Sequence, residues 1–220
     1  VHSMYLGECS AQALALLLTG AVNFSGKLPF TIAKHLADYE SIKNYPADYS
    51  SVSIARIRDG QGDPQVRHIR QERYEEGLLV GYRQFDTQAK EVRFPFGHGL
   101  SYTRFTYSDL ELELSGDQGR TVHIRCTVRN DGPLSGAEVV QLYVHAVQPK
   151  VFRVEQELKG FEKLMLQPGQ EAKVGFSLFE RDLAYYDVGS STWKTDAGQY
   201  VVRVGSSSRD IRLSVGFDWS

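Results

Sequence analysis

Between Phe105 and Phe217, apolar and polar residues alternate in short runs separated by turn residues, a pattern that helices cannot satisfy. Phe105 and Tyr107, then Leu110, Leu112 and Leu114, keep a two-residue step with one slip, which predicts a β-bulge. Val122, Ile124, Cys126 and Val128 continue the step and end at Asn130-Asp-Gly, a strong turn signal. Val139 to Val144 is a mostly apolar strand, and Leu158 to Leu166 runs into the turn Gln167-Pro-Gly-Gln. Ala172, Val174, Phe176 and Leu178 alternate, as do Tyr200, Val202 and Val204, and then Ile211, Leu213, Val215 and Phe217. About seven strands in about 115 residues predict an immunoglobulin-like or fibronectin-like β-sandwich able to fold by itself.

The preceding residues read differently, and the boundary is set near Thr103. Residues 10–19 predict a short helix with Ser10 as N-cap and Gly20 as its stop. It is apolar nearly all round, so it should be buried, yet little nearby could cover it. Asn23-Phe-Ser-Gly is turn chemistry, and Lys27 to Ile32, with Pro29, reads as a short edge strand. Residues 38–73 are expected to be a long polar loop, and Leu78 to Asp86 a strand and turn. Phe94-Pro-Phe-Gly-His-Gly-Leu-Ser-Tyr has no period at all.

In the 220 residues the formal net charge is −2, so no overall field attracts nucleic acid or an anionic membrane, and neither is expected as a partner. No apolar run approaches the roughly 18 residues that span a bilayer. Cys9 and Cys126 are expected to be two buried free thiols rather than a disulfide.

Few constellations point to chemistry. The histidines never pair at metal-ligand spacing, so neither a metal nor a cofactor is expected. Gly97-His-Gly-Leu-Ser-Tyr begins like a phosphate loop, but Tyr102 replaces the third glycine and a strand follows. Arg56, Arg58, Arg67, Arg70 and Arg73 are interleaved with Asp59, Asp63 and Glu72, which suits a solvated surface. Glycoside hydrolysis by the retaining route needs two carboxyl groups roughly 5 to 5.5 Å apart. Adjacent Glu75 and Glu76 should face opposite ways, and nothing marks a pocket around Glu155 and Glu157. His98 is either an imidazole aimed at a neighbouring site or part of a rigid crossing between domains, and the crossing is favoured. Tyr185, Tyr186 and Trp193 could stack on sugars, although aromatics in a sandwich are more often core.

Taken in order, several segments resemble one family. Asn23-Phe-Ser-Gly-Lys-Leu-Pro-Phe-Thr is similar to the segment closing the α/β sandwich domain of family 3 glycoside hydrolases, with Phe24 in place of the usual proline. Gly7-Glu-Cys-Ser-Ala-Gln-Ala-Leu resembles their helix start, and Tyr74-Glu-Glu-Gly-Leu-Leu-Val-Gly-Tyr-Arg-Gln-Phe-Asp and Phe94-Pro-Phe-Gly-His-Gly-Leu-Ser-Tyr-Thr resemble two further signatures. Glu157-Leu-Lys-Gly-Phe-Glu-Lys and Pro168-Gly-Gln fit the fibronectin type III-like domain that follows. The resemblance implies a mixed fold: a C-terminal remnant of the α/β sandwich domain over 1–103, then a fibronectin type III-like β-sandwich over 104–220. It implies a C-terminal structural module of a β-glucosidase-like hydrolase, a fragment or processed chain inactive by itself. The family's catalytic Asp and Glu precede the helix at 10–19, so no catalytic residue is assigned. The expected partner is the rest of the same hydrolase and, through it, a β-glucoside or oligosaccharide; a homo-oligomer stays open, as does a stand-alone carbohydrate-binding or structural module. A secreted location is favoured over a cytoplasmic one, which makes Asn23 of Asn-Phe-Ser a candidate glycosylation acceptor.

Overall fold

The computed structural model of the chain describes residues 1–4, 7–44, 53–58, 64–69, 74–116 and 121–220, with 53–58 and 64–69 described by their backbone. The first part holds helix α1 (Ser10–Leu18), strand β1 (Ile32–Ala33), helix α2 (Glu40–Asn44), strands β2 (Ser53–Arg58) and β3 (Pro64–Ile69), helix α3 (Tyr82–Thr87) and strand β4 (Val92–Phe94). The long strands follow: β5 (Phe105–Ser115), β6 (Thr121–Asn130), β7 (Gly136–Ala146), β8 (Glu157–Leu166) and β9 (Glu171–Phe179). Helix α4 (Glu180–Leu183), a small hairpin of β10 (Tyr185–Asp187) and β11 (Thr192–Lys194), and strands β12 (Gly198–Ser207) and β13 (Asp210–Trp219) complete the chain.

The seven long strands make two antiparallel layers, β13-β12-β7-β8 and β5-β6-β9. The slip expected in β5 is a register shift between Ser108 and Glu111, with Asp109 at φ 52°. The turns at Asn130–Gly132 and Gln167–Gln170 carry the chain from one sheet to the other, β6 to β7 and β8 to β9. Val122, Ile124, Cys126 and Val128 of β6 meet Val140, Leu142 and Val144 of β7 and Val202 and Val204 of β12 in the core. Burying each such aliphatic side chain contributes about 1.5–3 kcal/mol. Cys126 lies in this core, where burial and then Glu162 push its thiol up to about 11. Both cysteines are free, but Cys9 is exposed, not buried as expected, because among the described residues nothing buries the start of α1.

β7 departs from simple alternation. Its inward residues are buried as they should be, but Gln141 and Tyr143 on the opposite face are buried too. A sandwich strand is buried on both faces only when something covers its outer side, and here the first part of the chain does so.

That first part corrects several expectations. Helix α1 starts at Ser10 itself, with Cys9 in the cap position and no side-chain cap, because a turn from Gly7 (Ser10 N to Gly7 O, 3.1 Å) starts the helix one residue early. None of its residues is buried. The strand expected over Lys27–Ile32 shrinks to Ile32–Ala33, since Pro29 has no N–H to offer a ladder. The expected loop over 38–73 contains α2 and the antiparallel pair β2–β3; its Asp59-Gly-Gln-Gly and Tyr45-Pro segments lie outside the described residues. The strand expected near Leu78 is a turn, and Tyr82–Thr87 is helical. Six residues are too few to show a helical period, and tertiary contacts decide: Phe85 is fully buried against Tyr39, at a ring separation of 5.3 Å.

Candidate functional site

The aperiodic segment 94–103 joins the first part of the chain to the sandwich. Pro95 leads into a tight turn in which His98 N donates to Pro95 O (3.2 Å). Leu28 then pairs with the turn twice, its N–H donating to His98 O (2.9 Å) and its carbonyl accepting from Gly97 N (2.8 Å). Gly97 has φ 78°, and a Cβ there would sit 2.1 Å from Gln141 Oε1; one at Gly99 would sit 2.2 Å from Gly26 O. Both glycines are needed because backbone approaches backbone and sandwich too closely for any side chain.

On the sandwich side, Phe96 stacks on Tyr82 at 4.7 Å, and Tyr82 meets Tyr143 edge-on at 6.2 Å. Tyr143 Oη donates to Gln141 Oε1 (2.6 Å), while Gln141 Nε2 donates to Ser206 O (2.6 Å) and Gly97 O (3.3 Å). Lys27 and Glu138 form an ion pair at 2.8 Å with side chains only 14% and 9% exposed. Leaving either charge alone there would be strongly destabilising.

A second clasp grips α3. Arg209, in the turn between β12 and β13, donates from Nε to Asp86 Oδ1 (2.8 Å) and from Nη2 to Phe85 O (2.9 Å) and Lys90 O (2.7 Å). A guanidinium on carbonyls at a helix C-terminus is favourable both as hydrogen bonding and against the dipole. Gln156 Nε2 joins Asp86 Oδ2 (3.2 Å) to Ser208 O (2.6 Å), and Tyr82 Oη accepts from Leu158 N (2.9 Å). An open cavity of about 560 Å³ lies beside this clasp, with Asp86, Glu155, Arg203 and Arg209 among its walls. Its charges are taken up by one another: Arg203 Nη1 donates to Glu155 Oε1 (2.8 Å), and Arg209 holds Asp86.

The other residues singled out in the sequence are placed as follows. His98 is half-buried with its ring 5.2 Å from Phe94. Burial and then Lys27 hold its imidazole below the ordinary range, against the opposing pull of Asp210, so it is neutral near pH 7. Glu76 accepts from Asn44 Nδ2 (2.8 Å). Glu157 sits among Arg153, Lys159 and Arg83 at 3.1, 3.4 and 3.3 Å; burial raises its carboxyl, but these cations outweigh it and the net shift is downward. Asn23 uses both ends of its amide: Oδ1 accepts from Tyr102 N (2.8 Å) and Ser101 Oγ (3.1 Å), and Nδ2 donates to Ser135 O (3.1 Å). Trp193 and Tyr186, expected more often as core, are exposed. Of the arginine-rich stretch, Arg70 and Arg73 lie outside the described residues, as do the side chains of the other three.

The long-range roles of two residues central to the geometry carried no sequence signal. Arg209 is one. Asn130, noticed only as a turn residue, is fully buried and completely satisfied: Oδ1 accepts from Thr103 Oγ1 (2.6 Å) and Gly132 N (3.1 Å), and Nδ2 donates to Leu134 O (2.8 Å) and Leu166 O (2.9 Å). Its partners come from separate parts of the chain, and no local pattern announces that.

This arrangement is similar to that of known proteins. Residues 1–102 match the Glycosyl hydrolase family 3 C-terminal domain, and residues 138–208 match the Fibronectin type III-like domain. The thermostable beta-glucosidase B of Acetivibrio thermocellus is 41% identical over 215 residues, covering 97% of this chain and 26% of that protein. A beta-glucosidase of Rhizobium radiobacter is also 41% identical, with 96% of this chain and 24% of that protein covered. The crystal structure of a Bifidobacterium adolescentis GH3 beta-glucosidase superposes with a TM-score of 0.82 at 37% identity, over 97% of this chain and 28% of that one. The chain thus spans about a quarter of the length of the curated relatives it matches.

Proposed function

Because the chain belongs to glycoside hydrolase family 3, matching that family's C-terminal region, we propose that it buttresses a β-glucosidase-like active site built by other residues of the same enzyme. In this reading the complete enzyme hydrolyses terminal β-linked sugars by the retaining, two-carboxylate route. The nucleophilic Asp and the acid/base Glu lie outside these residues, and residues 1–103 and 104–220 act as two units. The remaining part of the hydrolase is the partner.

One observation carries the reading. Helix α1 is almost wholly apolar and buries none of its residues, whereas the sandwich closes a complete core. A soluble protein does not leave such a helix bare without a surface to receive it. Tyr102 ties the helix to the residues beyond it: its Oη donates to Leu17 O (2.9 Å) and its ring meets Phe24 at 5.4 Å. The acidic groups support it too, since Glu157, Glu155 and Asp86 are each held by arginine rather than presented as a pair across an open site.

For Asn23 the reading is structural first: Nδ2 already donates one hydrogen to Ser135 O, so only its second could give way to a glycan. The test has two arms. The purified chain is expected to leave an aryl β-glucoside unhydrolysed. A chimera in which it replaces the matching region of the Acetivibrio thermocellus relative is expected to fold and hydrolyse it. Turnover by the chain alone, or a chimera that folds but stays inactive, would overturn the proposal.

A further inference from the structure

At the pole of the sandwich opposite α1, the β10–β11 hairpin presents two aromatic rings to solvent. Asn23, five residues past the end of α1, meets the start of β7 through Ser135, whereas this hairpin leads into β12, whose Gln199 O accepts from Val147 N (2.9 Å) just past the end of β7. The eleven residues of β7 separate the two ends by about 35 Å. A partner that covers α1 therefore need not reach the hairpin.

Tyr186 and Trp193 are directly opposed across the hairpin, so their side chains share one face. They pack edge-on at 5.7 Å, and the Arg181 guanidinium lies 4.8 Å from the Trp193 ring centre. Even so they stay 51% and 54% exposed. The turn beneath is braced by Asp187, which accepts from Ser190 Oγ (2.6 Å) and pairs with Lys194. The rings are thus fixed in place before any ligand arrives, which lowers the ordering cost of binding.

We infer that this hairpin is a stacking site for a β-linked gluco-oligosaccharide, remote from hydrolysis. The choice of ligand rests on the proposed hydrolase reading. Charge and size support it independently. Across 180–196, Arg181 and Lys194 face Glu180, Asp182, Asp187 and Asp196, a slightly acidic balance that suits a neutral ligand better than a polyanion. Two half-exposed rings fall far short of the roughly 800 Å² per partner that a stable protein interface buries, but they match one or two pyranose units. β-Linked glucose carries its hydroxyls equatorially, so each ring face is a patch of C–H groups that suits the electron-rich face of an indole.

Fluorescence reads the site directly, since Trp193 and Trp219 are the only tryptophans and Trp219 is just 6% exposed. Titrating the 220-residue chain with a β-1,4-linked glucose hexamer should give a saturable blue shift, half-complete at about millimolar concentration. The α-1,4-linked hexamer should bind ~10-fold more weakly. Trp193→Phe should keep part of the affinity, and Trp193→Ala, followed by ligand-observed NMR, should lose at least ~10-fold with an unchanged unfolding midpoint. No saturable shift, or unchanged binding by Trp193→Ala, overturns the inference. So does an active chimera in which residue-resolved oxidative footprinting finds Trp193 protected, because the hairpin would then be an internal contact. That last result leaves the buttress proposal standing, so the two can fail separately.

Discussion

The sandwich and the residues before it hold their shape by different means. Among the described residues, only two buried hydrophobic side chains precede residue 104, Ala33 and Phe85, while the contiguous core lies wholly within β5–β13 and α4. The first part is held instead by polar side chains reaching backbone: Arg209 on the end of α3, Gln141 on Gly97, Asn23 on residues 102 and 135. Apolar burial is non-directional and cooperative, so a sandwich tolerates distance from its neighbours. A hydrogen-bonded clasp works only while the surface presenting its partners is rigid. Stability should therefore run one way, from sandwich to clasp.

The harshest way to break that asymmetry is through the core. Leu142→Ala removes a fully buried side chain of β7 and should cost about 3–4 kcal/mol. Urea unfolding should show both parts losing structure together, since β7 also carries Gln141 and Tyr143. If amide protection around α3 survives when the sandwich has melted, the dependence runs the other way. Asn130→Ala should cost somewhat less, about 3 kcal/mol, because it leaves several buried partners unpaired while the apolar core stays filled. Its effect should appear in the same transition, at a lowered urea midpoint.

Arg209→Ala sharpens the comparison from the opposite side. It strips three acceptors from one cation near α3, and the expected loss is about 1–2 kcal/mol. Hydrogen exchange should speed up over residues 82–90 while the β6 and β12 amides stay protected. Arg209→Lys should rescue only partly, because one ammonium cannot reproduce the planar fork. Uniformly faster exchange would mean that the two parts form one cooperative unit.

The same division explains what could be read beforehand. The long strands were legible because a two-residue period and a closed core are the same fact seen in sequence and in space, down to the bulge at Asp109. Helix α1 was legible as an element but not in its start, which depends on a turn at Gly7. Helix α3 was not legible, since Leu78, Leu79 and Val80 mimic a strand and the contacts that make Tyr82–Thr87 helical come from Tyr39 and Arg209. The segment Phe94–Tyr102 stood out by its glycines and proline, and its backbone bonds Leu28 on one side and Gln141 on the other. Arg209 reaches Phe85 across 124 residues and Asn130 joins Thr103 and Leu166 across 27 and 36, where local pattern carries no information.

The smallest effect concerns Glu157, a carboxylate whose ion pairs come from both parts: Arg153 and Lys159 from the sandwich side, Arg83 from α3. Its folded-state value lies below the ordinary 4.5. A depressed carboxyl contributes stability that is fully present above its unfolded value and is lost as pH falls through the folded one. Acidifying from pH 6 should therefore do little until about pH 4.5, then weaken the contact progressively. The pair to Arg83 is partly open to solvent, so the contribution should be under about 1 kcal/mol and should shrink with salt. Glu157→Gln should flatten the pH dependence of exchange around α3 below that point and leave it unchanged at pH 7.5. A variant that instead loses protection equally at both pH values would show that Glu157 holds the junction by hydrogen bonding and shape, with its charge of no consequence.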